Sequence, residues 1–240
     1  MTTLSHNKRG FTLIELLTVI AIVAILSAIL VPTVGQFRTL AKKTSDVNDL
    51  RRIVQASQMF AAQNGEKFVG PQQTLGADGI IDIGSDNDIV DVAAVLALGG
   101  ELNDPGVWQS ENEKKTLPGG GLYTFIADAD GDGLGAGEGY SVNTNLSPDD
   151  FSFDYVTGLA TWMQSTTPVA FSRMATPSSS TWGDTDVYQS SGGHIAFLNG
   201  SVTWYEDLTD KLITPTGQPA DSIQEAISDI ATAEIRSSLP

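Results

Sequence analysis

The chain has 240 residues, a formal net charge of -16 and no cysteine. So acidic a protein lacks the basic face with which a general nucleic-acid binder meets phosphates, and without thiols it has no disulfide, thiolate metal site or cysteine nucleophile. Its 41% apolar and 18% charged residues are enough for one packed core, which excludes wholesale disorder.

The charge is unevenly spread. Residues 1–52 hold seven of the 13 basic residues but only three of the 29 acidic ones: Glu15, Asp46 and Asp49. A basic, apolar N-terminal arm therefore precedes a strongly acidic body, which repels anionic surfaces.

Residues 16–37 carry no charge. As a helix this run would be about 33 Å long, close to the thickness of a bilayer's hydrocarbon core. Lys8 and Arg9 precede it, and Arg38, Lys42 and Lys43 follow it. Three readings fit. One is a secretory signal peptide, although its apolar region should be shorter and end in a small-residue cleavage site. The second is a plain membrane anchor. The third must account for Glu15, a carboxylate next to the apolar run, which is costly in lipid and usually has a functional partner.

The segment Lys8-Arg9-Gly10-Phe11-Thr12-Leu13-Ile14-Glu15-Leu16-Leu17 resembles the prepilin leader of type IV pilins and type II secretion pseudopilins. The resemblance covers roughly residues 8–40 and favours the third reading. It implies that prepilin peptidase cuts after Gly10 and N-methylates Phe11. It also makes Glu15 the fifth residue of the mature chain and Pro32 its twenty-second, both positions typical of the family. Glu15 of one subunit would then pair with the Phe11 amine of a neighbour, since either charge buried alone is costly. The implied domains are a leader at 1–10, a transmembrane and filament-core helix at 11–35, and an acidic α+β head at 36–240.

Beyond the span, Val47, Leu50, Val54 and Ala61 recur at helical spacing, with Ile53 and Phe60 widening the stripe. Arg51, Arg52 and Gln55 fall on the other face, and Asn64-Gly65 is a stop signal. The expected fold is therefore a long N-terminal α-helix packed on an antiparallel sheet, with a kink at Pro32. Residues 65–87 and 99–121 read as loops around a short helix from Asp88 to Leu98. Candidate strands are Leu122–Ala127, Tyr140–Asn143, Phe153–Val156 and Pro168–Arg173. His194–Tyr205 predicts a hairpin with a two-residue Asn199-Gly200 turn. Residues 218–238 predict a last helix, with Ser222 and Glu225 at capping-box spacing. The run from Gly192-Gly193-His194 to Asn199-Gly200-Ser201-Val202 resembles a C-terminal pattern of pilin-like proteins in some environmental bacteria. His194 has no triad partner at a recognisable spacing and reads as a strand residue.

Asp128, Asp130 and Asp132, followed by Gly133, place carboxylates at alternate positions, as a hard oxygen-seeking ion such as Ca2+ requires. Glu138 falls one residue short of the closing position of an EF-hand loop, so a looser aspartate loop is expected there. The resemblance adds weight, because major pseudopilins bind calcium in their heads. Asp78, Asp82, Asp86, Asp88 and Asp91 form a second, less regular acidic run. No phosphate loop, dinucleotide fingerprint, HExxH or GxSxG occurs, so no enzyme is indicated.

The function implied is structural: a homo-oligomeric helical filament or pseudopilus built by inner-membrane assembly machinery. The subunit would wait in the inner membrane and then move to the periplasm, cell surface or extracellular filament. The alternative is a membrane-anchored monomeric protein that binds surface ligands with calcium.

Overall fold

The computed structural model describes residues 12–70, 89–113, 117–118, 121–128, 140–143 and 145–237. The chain divides into two units, Met1–Ala41 and Lys42–Pro240. Helix α1, Leu13–Gln63, enters both, so each unit is described by itself.

In the first unit α1 runs without interruption through Pro32 and Gly35. The stretch Leu13–Val31 is long and apolar enough to cross a membrane, and its side chains are exposed all round.

In the second unit α1 buries one stripe, Leu50, Ile53, Val54, Phe60 and Ala61, and leaves Arg51, Arg52 and Gln55 in solvent. It ends at Gln63, where Asn64 Nδ2 donates to the Phe60 carbonyl at 2.8 Å and Gly65 takes a positive φ of 64°. Helix α2, Ile89–Gly99, is buried from Ile89 to Ala97.

The sheet on which these helices pack is antiparallel and α+β in its setting, as the sequence pattern requires. Its strands are β3 (Phe153–Thr157), β4 (Pro168–Ser172), β5 (Gly193–Phe197), β6 (Val202–Tyr205) and β9 (Glu234–Arg236), in the order β6-β5-β4-β3-β9. Every residue of β3, β4 and β5 is buried, so these strands are covered on both faces. Tyr155 on β3 donates to Ser57 Oγ at 2.8 Å, which donates in turn to the Ile53 carbonyl of α1. Two short ladders lie outside this sheet: β1 (Ile126–Asp128) with β2 (Tyr140–Val142), and β7 (Leu212–Ile213) with β8 (Pro219–Ala220).

Three local expectations need correction. Leu122–Phe125 is a single helical turn, α3, and only Ile126–Asp128 is strand. The last helix shrinks to one turn, α4 (Ile223–Ala226); its Ser222 cap forms as expected, accepting from the Glu225 amide. The chain then turns and gives Glu234–Arg236 to the open edge of β3, pairing Tyr155 with Arg236. A strand edge offers a row of unpaired backbone groups, and this pairing outweighs local helix propensity.

The third concerns the hairpin, whose loop has three residues, Leu198-Asn199-Gly200. Gly200 N–H donates to the Phe197 carbonyl at 2.8 Å, and Phe197 N–H donates to the Ser201 carbonyl at 2.9 Å. Gly200 has a φ of 81°, and Asn199 is not among the positive-φ residues. A two-residue type I′ turn needs both central residues at positive φ. Asn199 is held otherwise, because its Oδ1 accepts from Ser201 N–H at 2.9 Å and Ser201 Oγ–H at 2.6 Å. Leu198 and Asn199 amides also donate to the carbonyls of Thr167 and Ser165, drawing the loop over the end of β4.

The Gly192-Gly193 pair has a steric reason. A Cβ on Gly193 would lie 2.4 Å from Trp182 Nε1, and one on Gly192 would lie 2.2 Å from the Tyr205 carbonyl oxygen. Trp182 is buried. Gly193→Ala should therefore destabilise a fragment beginning at residue 36 by about 1–3 kcal/mol, read as a lower melting temperature; an unchanged melt would show that the indole can move aside.

Candidate functional site

The first unit presents the clearest functional feature. Large aliphatic side chains cover Leu13–Val31 on every side; Leu13 is 87% exposed and Val31 73%. A helix apolar all round belongs in lipid or among other helices. At its start Thr12 and Glu15 cap each other. Thr12 N–H and Oγ1–H donate to Glu15 Oε2 at 2.9 and 2.6 Å, and Glu15 N–H donates to Thr12 Oγ1 at 3.3 Å. This reciprocal arrangement is a capping box, which satisfies amides that a helix start leaves without partners. The Thr12-Leu13-Ile14-Glu15 spacing carries that signal in the sequence, and a reading of Glu15 only as an assembly residue passes over it. Among the described residues no hydrogen bond engages Glu15 Oε1. Gly10 and Phe11 lie outside the described residues.

The second unit contains a polar joint that the sequence did not announce. Asp46 on α1 is fully buried, and its Oδ2 accepts from Ser110 Oγ and Tyr188 Oη, each at 2.6 Å. Its Oδ1 has no partner. Burial pushes the Asp46 carboxyl up to about 6. Burial, and then the charge of Asp46, pushes Asp49 up to about 7. One helical turn earlier, the Lys43 ammonium stands 3.2 Å from the Trp204 ring centroid and 5.6 Å from that of Tyr188. The Tyr188, His194 and Trp204 rings meet edge to face at 4.9–5.6 Å. His194 is a buried residue of β5, and burial drives its imidazole down to about 4, so it is neutral near pH 7. It is a packed strand residue and shows no catalytic partner.

The acidic loop is closed by a described ladder. Asp128 ends β1 and pairs with Tyr140 at the start of β2. Asp130, Asp132 and Glu138 fall outside the described residues, as do Asp78, Asp82, Asp86 and Asp88; Asp91 is buried in the first turn of α2. Among the described residues no group of three or more His, Asp or Glu side chains could hold a metal ion.

Comparison with known proteins bears on the N-terminus. Residues 5–31 match the family model of the prokaryotic N-terminal methylation motif. Over 59 residues the chain is 45% identical to the type IV wide pilus major component of Thermus thermophilus, covering 25% of this chain and 45% of that protein. The chain thus spans about half the length of the curated relative it matches. No solved structure matches it. The N-terminal segment is of the prepilin type, and the chain is similar to type IV pilins there.

The capping box makes a measurable contribution. Thr12→Ala should cost the first turn about 1 kcal/mol, or roughly fivefold in its opening equilibrium. Hydrogen exchange of the amides at 13–16 in detergent micelles would register this, and unchanged protection would mean that the micelle alone holds the turn.

Proposed function

We propose that this chain is a prepilin-processed structural subunit that polymerises through its N-terminal helix into a type IV pilus-like filament or a secretion pseudopilus. Prepilin peptidase cuts between Gly10 and Phe11 and methylates the new amine. The processed chain waits in the inner membrane through residues 11–35, and inner-membrane machinery draws it into a homo-oligomeric helical filament. Its role is structural and not enzymatic. The observation that carries this reading is the join of a methylation motif at 5–31 to the exposed apolar helix Leu13–Val31. Cleavage ahead of an apolar run keeps that run on the product, whereas signal-peptide cleavage would remove it.

The mature N-terminus has a defined chemistry. Cleavage leaves an amine on Phe11, next to the Thr12–Glu15 box. In a filament core that excludes water, this amine and the Glu15 carboxylate each need an opposite charge. Glu15 Oε2 is held by its own Thr12, which leaves Oε1 for a neighbour's amine. Intact-mass analysis of surface filaments should find a chain beginning at methylated Phe11; a chain beginning beyond residue 28 would refute the reading. Glu15→Ala should leave processing and head melting unchanged while cutting sheared-filament yield at least tenfold, and normal yield would sink the pairing.

We infer further that Asp128, Asp130, Asp132 and Glu138 hold a structural Ca2+ ion. The donor set is all oxygen, as Ca2+ prefers, and the Asp128–Tyr140 pair gives the loop a fixed neck. Three carboxylates within five residues repel one another unless a cation neutralises them. Binding to the folded state alone adds about 2.7 kcal/mol at a hundredfold excess over Kd, or roughly 5–10 °C for a head of this size. A fragment beginning at residue 36 should melt that much higher in calcium than in chelator, and Asp130→Ala should abolish the gap. Identical melts would reduce the loop to a solvated acidic turn.

A further inference from the structure

Asp46 is an unusual choice for the inner face of α1. It follows Lys43 and precedes Leu50, Ile53 and Val54, so it opens the buried stripe of the head. Other carboxylates act on the joint: Glu111 and Glu113 on Asp46, and Asp46, Asp104 and Glu111 on Asp49, one turn along the same helix. The cations nearby are committed elsewhere. Arg173 pairs with Glu113, and its Nη1 donates to the Phe151 carbonyl. Arg52 holds Asp104 at 3.0 Å and reaches Asp49 only at 3.8 Å. Lys43 stacks on Trp204, with Glu206 as its nearest acidic influence. From β5, His194 packs on the Tyr188 ring that serves Asp46, and it is neutral near pH 7.

An ionised Asp46 would therefore hold one oxygen dry and unpaired amid like charges, at full burial. Protonation removes that charge while Ser110 and Tyr188 continue to donate to Oδ2. We propose that this joint is a proton-operated latch: the first head turns of α1 bind tightly to the 104–113 segment and Tyr188 when Asp46 and Asp49 are protonated, and loosen when both ionise. The inference concerns the head alone and stands whether or not the chain forms filaments.

The direction follows from linkage. Both folded carboxyls sit well above the ordinary carboxylate range, at about 6 and about 7. The closed joint thus binds protons that the open joint releases. Closure is fully favoured below the ordinary aspartate value and is lost progressively from about pH 4 to about pH 7, as pH rises through the two folded values. His194 acts oppositely wherever opening exposes it, since a buried neutral imidazole favours closure less as pH falls.

The test uses the full chain in detergent micelles. Hydrogen exchange of amides at 46–58 and 106–113, corrected for the intrinsic rate at each pH, gives the opening equilibrium. Opening should rise at least tenfold from pH 5 to pH 8. The Asp46→Asn/Asp49→Asn variant should remove the rise, and His194→Gln should keep it. Should the double variant fail to fold, Asp49→Asn alone, whose side chain is partly exposed, should reduce the rise by half or more on a logarithmic scale. A flat parent profile overturns the latch. So does a rise that survives neutralisation of the aspartates or disappears with His194→Gln.

Discussion

A helix of nineteen residues, apolar on every side, has no stable resting place in water, and the organisation of this chain follows from that. Burying one Leu, Ile or Val side chain is worth roughly 1.5–3 kcal/mol. A carboxylate at a membrane centre costs roughly 3 kcal/mol, and less near an end. The aliphatic sum therefore wins many times over, and Glu15 is carried into the apolar phase despite its charge. The helix therefore needs an apolar environment, either lipid or other helices.

The same helix changes character where it becomes part of the head. Up to Val31 it is uniformly apolar; from Asp46 onward it shows one buried stripe and one charged face. A one-sided helix packs on a sheet, and Ser57 and Tyr155 mark the contact with a hydrogen bond inside the core. The transition holds polar groups, because the first head turn must end the run that lipid accepts without yet entering the core. Lys43 solves this by laying its ammonium on an indole face, a contact that retains charge while shedding water. Asp46 solves it with two hydroxyl donors on one oxygen and leaves the other bare.

Much of this was legible in the sequence, for identifiable reasons. Helical periodicity from Val47 to Ala61 and the Asn64-Gly65 stop specify α1, because a stripe of burial and a break in it are local patterns. The strands β3, β4 and β5 are legible as apolar runs since they are covered on both faces. The hairpin is legible, but the length of its loop is not, because the choice between turn types rests on Asn199 bonding to Ser201 and on the carbonyls of Ser165 and Thr167, just ahead of β4. The final strand was not legible at all. Residues 218–238 have a cap and helical spacing, and only the unpaired edge of β3, some 80 residues earlier, turns Glu234–Arg236 into a strand. The polar joint was equally hidden: Asp46, Ser110 and Tyr188 come together from segments that share no spacing.

Glu15 and Asp46 show how one residue type acquires two kinds of work from its surroundings. Glu15 is exposed, and its partner is the amide and hydroxyl of Thr12, three residues away. Such a box is complete within one chain, so it neither requires nor forbids assembly. What it does is fix Oε2 at the helix tip, while among the described residues no hydrogen bond engages Oε1. Capping within one chain uses only one of the two oxygens, so it is compatible with the pairing proposed for Glu15. Asp46 has the reverse arrangement. Its bonded oxygen is satisfied by hydroxyls from distant segments, and its free oxygen meets only protein. A free carboxylate oxygen that faces outward can recruit a cation from another molecule. One that faces inward can recruit only a proton.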